Sequence, residues 1–224
     1  MVDIKDNTVP ATNQVIHSSK VMTLGKEDAK IRILIVGNSI TRHGPKEDIG
    51  WTFDHGMAAS VPEKDYVHLL YGMLVKSGYD VLVRVRQGAV WEREFSSPST
   101  VEEEFREDRA FNADVVLFRL GENIPIEMQK GTKVALEKFI EYICPKTGQA
   151  VFATCFWKNP LVDDAIRQVA KERNEQCVEI NCERDDQMAL GLFWHKGVAM
   201  HPGDKGMQMI ADRIFPAVEK ALEQ

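Results

Sequence analysis

The sequence predicts an α/β protein in which a five-stranded parallel sheet is covered by helices on both faces. Three observations carry this. Short aliphatic runs recur at residues 31–36, 81–85, 114–120, 150–155 and 177–180, each bounded by Gly, Pro, Asn or Asp. Between them lie segments with apolar residues three or four apart, at 64–76, 101–109, 132–142 and 163–173, and a last one at 204–222 carries Met207, Ile210, Ile214 and Val218. The strict alternation of the two patterns is that of strands joined by right-handed helical crossovers. Residues 1–27 fit neither period and are read as an extended arm packing on a single domain of residues 28–224, within which no repeat or linker suggests a division.

Composition excludes several classes. The 224 residues carry a net charge of -6, with lysines and arginines scattered rather than gathered, so nucleic acid is not an expected partner. The apolar runs are far too short to span a bilayer, and the N-terminus has no apolar core of the signal-peptide kind, so a soluble chain with no membrane partner is expected, its compartment and oligomeric state left open. Cys144, Cys155, Cys177 and Cys182 form no CxxC pair and read as core thiols. His43, His55 and His195 lack ligand spacing, so no metal and no cofactor is expected.

In an open parallel sheet, ligands gather beyond the carboxyl ends of the strands. The first exit delivers Gly37-Asn38-Ser39, the second Gln87-Gly88, and the third Gly121-Glu122-Asn123, while His201 lies just before the last helix. A serine hydroxyl needs a base, which His201 supplies at neutral pH. A tetrahedral intermediate needs donors aimed at its oxyanion, for which the backbone N–H groups of Ser39 and Gly88 and the Asn123 amide are the candidates.

These stretches, GNSIT, RQGAVW, GEN and HPGDKG, resemble the four signature blocks of the SGNH (GDSL-type) hydrolases, which contribute Ser, Gly, Asn and His in that order. The resemblance spans residues 39–206. It implies a flavodoxin-like three-layer α/β/α sandwich and ester hydrolysis through an acyl-enzyme without a metal. There are three departures. Asn38 stands where the family has Asp, an exchange expected to change little because it keeps a turn-forming side chain. Ile124 follows Asn123 where the family has a second Asp, and Val198 stands where the triad acid is expected, three residues before His201. A backbone carbonyl near Val198 could orient the imidazole instead, as could Glu183 or Asp185 from another loop; Asp204 reads as a helix-capping or first-turn residue.

The long connection after the first strand brings Trp51, Phe53, Asp54 and His55, the second exit adds Trp91, and the FWHKG stretch adds Trp194. Indole faces beside polar groups suit sugar rings, so Trp51, Trp91 and Glu122 are candidate substrate contacts, although core packing explains either tryptophan equally well. Arg119 and Glu122 read by default as a structural ion pair. The expected function is hydrolysis of a small acyl ester, an acetyl ester above all, on a carbohydrate. The rival is a catalytically weak carbohydrate-binding protein on the same fold. Phosphate-cradling GxGxxG and GxxxxGK loops are absent, as is a GxSxG elbow.

Overall fold

The aliphatic run of residues 33–36 becomes the middle of a sheet, in a computed structural model that describes residues 20–224. The strands are β1 (Val21–Leu24), β2 (Ile31–Gly37), β3 (Val81–Gln87), β4 (Val115–Arg119), β5 (Gln149–Ala153) and β6 (Gln176–Val178). Their order is β1-β3-β2-β4-β5-β6. All neighbours run parallel except β1, which lies antiparallel on β3 with Met22 opposite Val85. The five expected parallel strands are therefore joined by a sixth, antiparallel one. It comes from the expected arm, whose residues 1–19 lie outside the described ones. Four residues with one exposed position are too short a run for periodicity to reveal.

The helices are α1 (Tyr66–Lys76), α2 (Ala89–Glu94), α3 (Pro98–Glu104), α4 (Arg106–Ala110), α5 (Thr132–Ile143), α6 (Pro160–Arg173), α7 (Lys196–Ala199) and α8 (Asp204–Leu222). Successive residues of a strand point to opposite faces, and β2 is buried on both. Ile33 and Ile35 pack with α1 and α8, whereas Leu34 and Val36 pack with α5 and α6. This is the three-layer sandwich. Along α8, Met207, Ile210, Ile214 and Val218 are fully buried. At about 1.5–3 kcal/mol for each such side chain, that face outweighs the roughly 3 kcal/mol an interior proline such as Pro216 costs.

Local chemistry sets several boundaries. Asp65 caps α1, its carboxylate accepting from the His68 N–H at 2.9 Å. The helix expected over 101–109 is broken at Phe105, whose fully buried ring meets Phe139 edge-on at 4.8 Å. Helix α2 was not expected, because six residues are too few to show a period. β6 stops at Val178 rather than Ile180; the Ile180 N–H turns instead to Thr154 Oγ1 at 3.0 Å. All four cysteines are free thiols, and burial pushes Cys144 up to about 12 and Cys177 to about 11, so neither is a nucleophile at neutral pH. Among the described residues, no helix is long and apolar enough to cross a membrane.

Candidate active site

At the end of β2 the chain turns sharply, with the N–H groups of Thr41 and Arg42 both donating to Asn38 O at 2.9 and 3.0 Å. The turn carries a half-buried Ser39. Its hydroxyl lies 2.9 Å from Nε2 of His201, 162 residues away in sequence. On the other side of the ring, Nδ1 lies 2.7 Å from Gly197 O. A carbonyl can only accept, so Nδ1 carries the proton and Nε2 presents its lone pair to the serine. The imidazole is thus held in the tautomer a general base needs.

No carboxylate reaches that ring. Val198 is buried in an apolar cluster with Trp51, Met57, Ala58 and Ala189, which leaves no room for the family's acid. Glu183 pairs instead with Arg213 at 2.9 Å. Asp185 opens a short 3-10 turn, and Asp204 binds Lys64 and the Ser60 N–H, each at 2.8 Å. Burial pushes His201 down to about 4; the Gly197 carbonyl opposes this, and the charges of His43, Arg119 and His195 add to it. The ring is neutral at pH 7.

Behind the serine lies a dense polar network. Arg119, wholly buried, donates to Glu122 at 2.6 and 3.0 Å and to Asn38 Oδ1 at 2.9 Å. Asn38 Nδ2 donates in turn to Glu92 at 2.9 Å and to Glu122 at 2.6 Å. Glu92, also wholly buried, accepts from the Gly121 N–H at 2.6 Å and from Asn123 Nδ2 at 2.6 Å. An aspartate at 38 would lose both amide donations and set a third carboxylate against two others, so the exchange to Asn is a structural requirement and not the minor change expected. Desolvation raises the Glu122 carboxyl, with Arg119 pulling against it. Gly121, at φ 143°, is constrained as well: a Cβ would lie 2.7 Å from both Cys155 Sγ and Val162 Cγ1.

The structure corrects part of the expected oxyanion hole. The Gly88 N–H donates to Gly37 O at 2.6 Å, extending the β2–β3 ladder by one rung, and so is already spent. Glycine is needed there for space, since a Cβ would meet Val36 Cγ1 at 2.7 Å. The Ser39 N–H has no hydrogen-bond partner among the described residues, and Asn123 retains its second amide proton.

The expected substrate contacts are corrected too. Trp51 is fully buried, its Nε1 donating to His43 O at 2.9 Å, and Trp91 stacks on Phe139 at 5.4 Å within the core. Neither presents a face to a ligand. The Glu122 carboxylate is enclosed by Arg119, Asn38 and the Phe156 N–H. Another indole meets the histidine: Trp157 stands edge-on to His201 at 5.0 Å, while Trp194 is exposed beside His195. Trp157 was missed because it follows the fourth strand, from which the expected motif takes no residue. Glu92 was missed because its helix was. His43 Nδ1 and His55 Nδ1 each engage a neighbouring carbonyl, and no group of three or more potential ligands for a metal assembles among the described residues.

No family model and no curated protein matches the chain. Solved structures do. The family 3 carbohydrate esterase of Clostridium thermocellum superposes with a TM-score of 0.62 over 86% of this chain and 97% of its own, at 16% identity. Axe2, an acetyl xylan esterase from Geobacillus stearothermophilus, gives 0.57 over 85% and 95%, at 17% identity. A chain from Parabacteroides merdae described as a GDSL-like lipase gives 0.56 over 85% and 96%, at 18% identity. The fold is that of the GDSL-type esterases.

Proposed function

We propose that this protein is a serine esterase that removes a small acyl group, an acetyl group above all, from a carbohydrate. The observation that carries the reading is the Ser39–His201–Gly197 chain, with its 2.9 and 2.7 Å hydrogen bonds and fixed tautomer. Ser39 Oγ attacks the acyl carbonyl while His201 Nε2 takes its proton. The oxyanion of the tetrahedral intermediate is met by the Ser39 N–H and the Asn123 amide. His201 then returns the proton to the leaving alcohol, and water repeats the sequence on the acyl-enzyme. The Gly197 carbonyl does the orienting work of a triad acid without its charge, so imidazolium is less stabilised in the transition state. The carbohydrate part of the reading is supported by the fold shared with the carbohydrate esterase and the acetyl xylan esterase, and by the Trp157 indole beside His201.

One observation favours a second reading, a carbohydrate-binding protein with little turnover: the place of the acid is filled by buried Val198. Hydrolysis of p-nitrophenyl acetate by the wild type and by Ser39→Ala separates the two. Turnover that is lost with Ser39 is expected; equal rates, or none in either, would leave the binding protein as the better account.

A further inference from the structure

The carbonyl that meets His201 belongs to a helix of a single turn. Helix α7 has four residues and two backbone hydrogen bonds of the helical kind, from the Ala199 N–H to His195 O and from the Met200 N–H to Lys196 O, both 3.0 Å. So short a helix does not hold itself, because two bonds offset little of the cost of fixing its first turn. Other contacts must keep Gly197 O at 2.7 Å from His201 Nδ1. One anchor is Val198, whose side chain is buried with Trp51, Met57, Ala58 and Ala189.

The second anchor is His195. It stands at the N-cap, where its Nδ1 accepts from the Val198 N–H at 3.4 Å. Serine, threonine, aspartate and asparagine usually do this with an oxygen, and a neutral imidazole does it with its lone pair. The bond is long, but the ring has another hold on the turn. A Cβ on Gly197 would lie 2.9 Å from His195 Cε1 and 3.2 Å from Nδ1, so the imidazole rests against the bare backbone of the residue whose carbonyl His201 uses. The ring is itself braced. Trp194 meets it edge-on with centroids 5.5 Å apart, and the same indole lies against Gly50, where it leaves no room for a Cβ. Exposed Trp194 thus links His195 to the loop after β2.

We infer that His195 is a positioning residue for the base: by capping α7 and lying on Gly197, it holds the carbonyl that His201 uses in place of a triad acid. This rests on the reading of the site as an esterase and adds to it the device that orients the base. It also accounts for glycine at 197, since a side chain there would drive the ring from the cap.

The test measures kcat and KM for p-nitrophenyl acetate in four variants whose melting curves verify that they are folded. His195→Ala should lower kcat by roughly 3- to 30-fold with KM unchanged, the factor a lost cap amounts to when it falls on the base alone. His195→Asn, whose side-chain oxygen takes the place of Nδ1, should restore most of that loss. Gly197→Ala displaces the ring and should cost about as much as His195→Ala, and the two together no more than either, because both remove the same contact. An unchanged kcat in His195→Ala, a loss that asparagine does not restore, or additive losses would overturn the role; so would a rise in KM alone, which would make His195 a substrate contact. NMR of the chain with ¹⁵N-labelled histidine gives a readout that needs no turnover. The His201 Nδ1 proton, identified by its absence from His201→Gln, should exchange slowly in the wild type and in His195→Asn and be lost to exchange in His195→Ala. If no ester is hydrolysed but this signal depends on His195, the positioning role stands and the esterase reading falls. A signal absent from the wild type, or equally strong in His195→Ala, overturns the role.

Discussion

Ser39 and His201 are held by opposite kinds of chemistry. Ser39 sits in front of one buried arginine, two buried glutamates and two asparagine amides, each tied to the next by hydrogen bonds of 2.6 to 3.0 Å. His201 rests on one neutral carbonyl, with apolar Val198 where a charge could have been. The serine's side is a polar lattice of one arginine, two glutamates and two asparagines, and the histidine's side is an apolar pocket with a single carbonyl dipole. Charge has been placed behind the serine, where it fixes strand exits in register. No carboxylate is set beside the imidazole, which burial keeps neutral.

Breaking the lattice should have the largest effect. Arg119→Met leaves Glu122 and its neighbours uncompensated and should cost about 3–5 kcal/mol, read as a fall in Tm of roughly 6–20 °C for a chain of this size. A change of a degree or two would mean that the lattice does not hold the exits together. Next comes the amide it positions. Asn123→Ala should lower kcat by roughly 10²- to 10³-fold with KM little changed, and an unaltered kcat would remove Asn123 from the oxyanion hole.

Placing an acid on each side sharpens the contrast. Val198→Asp puts a carboxylate among Trp51, Met57 and Ala58 and should destabilise by about 1–3 kcal/mol or more, without raising kcat. Asn38→Asp should destabilise as well, through repulsion by Glu92 and Glu122, and its loss should shrink as the pH is lowered and the carboxyls protonate. Burial pushes up an aspartate at either place, so both losses should shrink between pH 7 and pH 5 in thermal melts, and a loss that does not change with pH would mean that the new carboxyl is solvated. The smallest effect is a shift of the pH profile. Because burial lowers His201 from 6.5 to about 4, the neutral base persists into acid. The acid limb of kcat/KM should accordingly have its midpoint below 6.5; a midpoint above that value would mean that a counter-charge raises the imidazole after all.

Much of this was legible in the chain. The parallel strands, the flanking helices and the order Ser39, Asn123, His201 follow from periods of 2 and 3.6 and from short local stretches, because local backbone preference and side-chain polarity are written residue by residue. The sequence also determined that Val198 could not be the triad acid. Partner choice across the sheet was not legible. Whether Gly88 offers its N–H to a ligand or to Gly37, whether Trp51 and Trp91 face sugar or core, and where Glu92 spends its carboxylate depend on which groups 30 to 160 residues apart meet at a few ångströms. Hydrogen bonds and burial are satisfied only once in space, so the tertiary structure alone decided that the Gly197 carbonyl meets His201 Nδ1 and that Asn38 must be an amide.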